Sequence, residues 1–286
     1  MPKHLPNLES MVFTLVSRAV PIKNYLRVAN SDPATISTHI ENFTSTISNW
    51  ATRFSVGLIV DGKKILDRKS FPHVLCVNSL DGIEFLPAGI QSAASVFLLM
   101  RIDENGMGHP ERTVIYNPST GQIWTAKTEG GVKYKASIYA KPKVQFRFNA
   151  KDLVMLDGIR ISVTRRDNSD ARLNEICGDI GKKFVVFNNG SAALNGGEVA
   201  IGNLHGCIST KTTAVEMASV SLMIHELGGI VTDLSGNLIE GFQYYEDDTD
   251  PSNLKSEFLL SNGMITARDE FVHEEILAAI TTRKPK

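Results

Sequence analysis

Three short stretches carry residue types whose spacing suits chemistry on an anionic substrate. The first is Leu75-Cys76-Val77-Asn78-Ser79-Leu80-Asp81-Gly82-Ile83-Glu84-Phe85. An apolar run that ends in Asn, Asp and Gly presents oxygen ligands for a hard cation and backbone N–H groups freed by a turn. The second is Asn188-Asn189-Gly190-Ser191-Ala192-Ala193-Leu194, a Gly–Ser start to a run of small residues. Such a helix N-terminus can receive a phosphate or a hydroxyl-rich ligand, and it can equally be a capped helix that packs closely. The third runs from Ala214-Val215-Glu216-Met217-Ala218-Ser219 to His225-Glu226-Leu227-Gly228-Gly229-Ile230-Val231-Thr232-Asp233. Glu216 falls near a helix N-terminus, where the dipole favours a carboxylate, and a capping role explains it without a metal.

These stretches need elements to hold them. Leu8, Met11, Leu15, Val16 and Ala19 recur near helical spacing and predict a helix over 8–28. Asp32-Pro33 opens a second helix, with Ile36, Ile40, Phe43 and Ile47 on one face. Residues 56–60, closed by Asp61-Gly62, and residues 74–77 read as strands ending in turns. Residues 94–102 and 113–116 are further strands, 117–121 a turn, and 122–127 the return strand. The lysine-rich segment 128–157 reads as an irregular strand-edge surface, with attraction for phosphate as the alternative. Beyond it come a strand at 159–164, a helix near 169–180, a strand at 183–187 and a helix near 191–201. A longer helix near 212–227 ends at Gly228-Gly229, followed by strands at 230–233 and 258–261 and a terminal helix over 267–281. The first part is thus a hairpin-rich sheet and the second an α/β alternation, with a seam near 148–158 dividing the chain into 1–150 and 151–286.

Composition narrows the partners. Thirty Lys and Arg stand against 31 Asp and Glu, a net charge of -1, so no global basic excess suits a nucleic-acid backbone. Hydrophobic residues at 42% and charged residues at 21% are those of a globular chain. Cys76, Cys177 and Cys207 are far apart and form no CxxC pair, which predicts buried thiols in a reducing compartment. The N-terminus has a short apolar run, 11–16, without a small-residue cleavage site, so no secretory leader is expected. No stretch approaches the roughly 18 consecutive apolar residues of a spanning helix. The expectation is a soluble cytoplasmic protein with neither nucleic-acid nor membrane partners.

In order and spacing, the three stretches resemble the inositol monophosphatase family, whose pattern is D-P-x-D-G-T, then G-S/T-A-A, then W-D-x-A-A-G followed by E-A-G-G. The matching residues are 78–83, 190–193, 215–220 and 226–229. Val114-Ile115-Tyr116-Asn117-Pro118 and Gly121-Gln122-Ile123-Trp124-Thr125-Ala126 look like the family's hairpin between them. The resemblance covers about residues 8 to 275 and implies an α/β (α+β) fold, a layered αβαβα sandwich of the inositol monophosphatase and fructose-1,6-bisphosphatase type. It also implies a Mg²⁺-dependent phosphomonoesterase acting on a small phosphorylated metabolite, and a homodimer. Carboxylates there hold Mg²⁺ ions that bind the phosphate and activate a water. Carried over, the metal set is Asp61, Asn78, the Leu80 carbonyl, Asp81 and Glu216. Gly82 and Ile83 supply backbone donors to phosphate, joined by Gly190, Ser191 and Ala192, and Ser209 takes a position that meets substrate hydroxyls.

The departures from the pattern concern the chemistry. The first Asp of the metal motif is Asn78, so one negative charge is lost. The family's Glu-Glu pair falls on Asp61-Gly62, and the W-D aspartate is Glu216, one methylene longer. That methylene moves the oxygen by more than about 1 Å, where sites tolerate roughly 0.5 Å. The water-activating Thr and its Asp partner fall on Ile83 and Thr38. Such general acid–base help is worth roughly 10²–10⁴-fold. A replacement base would come from Glu84, Asp67 or His39, each of which reads as well as a surface or structural group. Lys211, two residues after Ser209, meets either a second anion or solvent. The resemblance therefore implies a catalytically impaired protein that retains a phosphate or sugar-phosphate pocket. The alternatives are an active phosphomonoesterase with a rebuilt metal set, and a structural or interaction protein.

Overall fold

The computed structural model describes residues 8, 10–12, 33–61, 63–66, 72–81, 93–137, 140–145, 158–164, 178, 180–181, 183–187, 190–210, 212–239, 242–243 and 263–281. Helix α1 spans Pro33–Phe54. Pro at its first position has the backbone angle a first turn needs, and Ser55, at φ 55, ends it. Phe43 is half-buried, and Ile47 and Ala51 are buried, so the apolar stripe continues to the end of the helix. The helix predicted over 8–28 lies mostly outside the described residues.

The first sheet is built from β1 (Gly57–Val60), β2 (Lys63–Leu66), β3 (His73–Asp81), β4 (Ala94–Ile102), β5 (Met107–Tyr116), β6 (Ile123–Lys127), β7 (Gly131–Lys135) and β8 (Lys143–Gln145). Their order is β2-β1-β3-β4-β5-β6-β7-β8. β13 (Phe242–Gln243), from the second half of the chain, pairs with β5. β1 and β3 run parallel, with Val60 beside Val77, while the rest of the path is antiparallel. The turn between β5 and β6 is the one expected at 117–121. The Asn117 side chain accepts from the N–H groups of Ser119 and Thr120, and Gly121 takes φ 78. The lysine-rich segment departs from expectation. Residues 131–135 and 143–145 form β7 and β8 rather than irregular surface, because Val132 and Tyr134 alternate inward between outward lysines. Residues 146–157 lie outside the described residues.

The second sheet has the order β10-β9-β11-β14-β12. Its members are β9 (Arg160–Thr164), β10 (Val185–Phe187), β11 (Gly206–Ser209), β12 (Ile230–Thr232) and β14 (Met264–Ala267). β9 pairs in parallel with β10 on one side and β11 on the other. The second half of the chain also contributes helices α2 (Ala192–Ala200), α3 (Ala214–Glu226) and α4 (Glu270–Thr281). The strand expected at 258–261 lies outside the described residues, as does most of the helix expected near 169–180.

Alternation along the strands sorts the core into layers. Leu75 and Val77 face α1 with Phe97 and Leu99. Val74 and Cys76 face the opposite way with Val96 and Leu98, against α2 and α3. Cys207, Val231 and Met264 of the second sheet close that same cluster from the far side. Ile161, Ile208 and Ile265 point outward to α4, onto Val272 and Ile276. The layers therefore run α1, first sheet, α2 with α3, second sheet, α4, which is the αβαβα sandwich. α3 lies between two sheets and is buried from Val215 through Ile224, so it carries no polar stripe. No helix among the described residues is long and apolar enough to cross a membrane.

Candidate functional site

Chain direction brings the candidate residues to particular strand ends. Asp61 follows β1, and Asn78 and Asp81 lie at the end of β3, the parallel neighbour of β1. Gly190 and Ser191 follow β10, and Thr212, Thr213 and Glu216 follow β11. β9, β10 and β11 share one direction, so α2 and α3 both start from the same edge of the second sheet. Carboxyl ends of parallel strands, faced by helix N-termini, are where such folds offer N–H groups and polar side chains to a ligand.

Glu216 is fully buried. It joins the first sheet to the second half of the chain, since its Oε1 accepts from Asn78 Nδ2 at 2.5 Å. Its Oε2 accepts from Thr212 Oγ1 at 2.8 Å and from the Thr213 N–H at 3.1 Å. Thr213 Oγ1 in turn accepts from the Glu216 N–H at 3.3 Å, which makes a reciprocal capping box. Glu216 therefore does cap α3, as its position suggested, and it also meets Asn78. The amide orientation follows from chemistry, because a carboxylate offers only acceptors and only the N–H₂ edge of Asn78 can face it.

Asp61 sits at φ 50, the left-handed region that Asp tolerates better than most residues. Its two carboxylate oxygens accept from the Ser79 N–H at 2.7 Å and Ser79 Oγ at 2.6 Å. Ser95 Oγ then donates to the Ser79 carbonyl at 2.7 Å. This network fixes the strand end that carries Asn78. A register shift separates Asn78 from Asp81, as in bulges that re-aim side chains beside sites.

On α2, Ser191 is the N-cap, and its Oγ accepts from the Leu194 N–H at 3.1 Å. Gly190, Ser191, Ala192 and Ser209 are all buried. Asn195 Nδ2 donates to Thr164 Oγ1 at 2.6 Å and ties the helix to the end of β9. Two glycines let α2 wedge between its neighbours. A Cβ on Gly196 would stand 2.5 Å from Val220 Cγ2, and one on Gly197 would stand 2.9 Å from the Trp124 ring. The cost of two glycines in one helix is offset by this close approach.

Other expected residues are placed only in part. Thr38 lies on α1 and Leu80 and Asp81 on β3, with side chains outside the described residues. Gly82, Ile83, Glu84, Asp67 and Lys211 lie outside the described residues, as does the side chain of His39. Among the described residues, no group of three His, Cys, Asp or Glu is arranged to hold a metal ion. A cation set between positions 78 and 216 would meet the N–H₂ of Asn78, so this pair as arranged does not suit one. Neither of the two thiols among the described residues is a substitute nucleophile, and Cys177 lies outside those residues. Burial pushes Cys76 up to about 12, and also Cys207, where the Thr266 hydroxyl opposes the shift.

Several participants escaped the sequence reading. Thr212, Thr213, Ser79, Ser95, Thr164 and Asn195 hold the site residues, yet only Thr213 carried a signal, the T-x-x-E box ahead of an apolar run. Glu226 has a structural part. Its two oxygens accept from the N–H groups of Glu129 and Gly131, both at 2.8 Å, and clamp the turn between β6 and β7.

Comparison with known proteins agrees with the layers. The profile of the inositol monophosphatase family matches residues 105–284, more than half of the chain. An inositol-1-monophosphatase of Mesorhizobium japonicum is 25% identical over 229 residues, covering 80% of this chain and 74% of that protein. Inositol monophosphatase from Anabaena (Nostoc) superposes with a TM-score of 0.70 at 14% identity, covering 96% of both chains. Inositol monophosphatase II of Staphylococcus aureus gives 0.68 at 17% identity, covering 94% of this chain and 91% of that one.

Proposed function

The chain belongs to the inositol monophosphatase family, and we propose that within it this protein binds a small phosphorylated metabolite while hydrolysing it poorly or not at all. The observation that carries this reading is the Asn78 amide donating to Glu216. A phosphomonoesterase of this kind runs on concentrated negative charge that holds Mg²⁺, which supplies an activated water and neutralises the leaving oxygen. Here one of those charges is a carboxamide, and its N–H₂ is turned onto another member of the set. The positions that would activate water hold Thr38 and Ile83.

Binding asks less of the chain. The N-terminus of α2, capped by Ser191, and the buried Gly190 and Ala192 favour an anion through the helix dipole and first-turn N–H groups. Ser209 and Thr212 stand at the next strand end for ligand hydroxyls. Asn195 on Thr164 holds α2 in place as the ligand binds. A homodimer and a cytoplasmic location belong to the same proposal.

Calorimetric titration with inositol 1-phosphate, hexose phosphates and nucleoside monophosphates tests the binding half. At least one is expected to bind, with inorganic phosphate competing, and no phosphate should be released above background. Failure of every phosphorylated compound to bind would remove the pocket from the reading. Release at the usual enzyme rate of about 1 s⁻¹ or faster would remove the impairment.

A further inference from the structure

We infer that the Asn78 carboxamide stands in for a cation between β3 and α3, so that this part of the fold is held by hydrogen bonds and needs no divalent ion. The inference rests on reading this place as the family's metal-binding region. It does not depend on whether the protein turns over a substrate.

A fully buried carboxylate must be compensated, by a cation or by donors. Glu216 accepts from donors on both sides, Asn78 Nδ2 from the first sheet and Thr212 Oγ1 with the Thr213 N–H from the start of α3. The bond to Asn78 links residues 138 apart in sequence, across the boundary between the first sheet and α3. An amide and a carboxylate have nearly the same shape. The difference is that one oxygen becomes N–H₂, an acceptor replaced by a donor. At 2.5 Å that exchange changes the sign of the interaction with Glu216. Two carboxylates so close cannot both stay charged without a cation or a shared proton between them. The Ser79 bonds to Asp61 tie down the same strand end. The chain therefore has the bridge, and the bridge is protein.

The test is thermal unfolding of the native chain, Asn78→Asp and Asn78→Ala at mildly alkaline pH. Each is measured in EDTA and then in millimolar Mg²⁺ or Mn²⁺. The native midpoint is expected to stay within about 2 °C between the two conditions. Asn78→Asp should fall by roughly 10 °C in EDTA and recover at least half of that with the metal ion. Asn78→Ala should fall in both conditions without recovery. An Asn78→Asp chain that folds only with Mn²⁺ present also supports the inference. A native midpoint that rises saturably with Mg²⁺ by more than about 4 °C, as a ligand far above its dissociation constant would raise it, overturns it. So does an Asn78→Asp chain that responds to metal no differently from Asn78→Ala. If neither variant folds, the native chain decides by the same two limits. Phosphate release by the native chain in EDTA would defeat the proposed impairment and leave this inference standing. Stabilisation by Mg²⁺ without release would do the reverse.

Discussion

Replacing Glu216 by Ala removes the acceptor of three donors among the described residues at once. Thr212 is fully buried, so its hydroxyl is left unsatisfied, and the Thr213 N–H loses its reciprocal cap. The half-buried Asn78 amide loses the partner it donates to. A buried unsatisfied donor costs about 1–3 kcal/mol and a lost cap about 0.5–2 kcal/mol. The expected loss is therefore about 4 kcal/mol, or roughly 10 °C in midpoint for a chain of this size. Glu216→Gln is the informative control. The new amide can keep its oxygen toward Thr212 and Thr213 while Asn78 turns over to offer Oδ1, so the loss should be only about 1–2 kcal/mol. In a cycle with Asn78→Ala, the two sites should couple by about 1–3 kcal/mol. Urea unfolding followed by circular dichroism in EDTA measures all of these. A Glu216→Ala loss below about 1 kcal/mol, or no coupling to Asn78, would refute the placement of Glu216 as the acceptor at this junction.

Gly196→Ala should destabilise by about 2 kcal/mol despite alanine's helix preference, because its Cβ would stand 2.5 and 2.6 Å from the Val220 methyl carbons; adding Val220→Ala should restore part of the loss in the same urea assay. Burial holds His205 below its ordinary value, helped by the Arg268 and Arg160 charges, and burial does the same to His273. The unfolded chain then binds more protons than the folded one just below pH 6.5. Stability should be whole above that pH and fall as the pH drops toward the lowered folded values, by up to about 1.4 kcal/mol per pH unit for each histidine. His205→Gln and His273→Gln should flatten that slope in pH-dependent melts. Cys76 and Cys207, fully buried and pushed up to about 12, should not react with a thiol reagent until the chain unfolds, leaving at most one fast thiol of three.

Several elements were legible because long ones repeat their pattern, whereas the layered sandwich was implied by the family resemblance. β4 was predicted at its observed bounds, and α1 carried an apolar stripe that continues to Ala51. β11 and β14 went unseen for a physical reason. Each is four residues long and buried at every position, so neither shows the alternation that marks a half-exposed strand. β7 was hidden by its lysines, although Val132 and Tyr134 alternate inward between them. At the site, Asn78 and Glu216 each stood out by type and position. Their contact did not, because it spans 138 residues and depends on how two sheets stack on one helix. Ser79 and Ser95 gave no signal at all, since serines in strands are common and only the chain path brings them to Asp61 and to each other.

The most direct test of the account is the rate of phosphate release by the native chain from a phosphomonoester that calorimetry shows it binds, with saturating Mg²⁺ and an Asp81→Asn variant alongside. The native chain is expected to release phosphate at about 10⁻¹ s⁻¹ or slower, a typical turnover of about 10 s⁻¹ reduced at least about 100-fold by the loss of acid–base assistance, and the variant at the same rate. Release at about 1 s⁻¹ or faster that disappears in Asp81→Asn would contradict it.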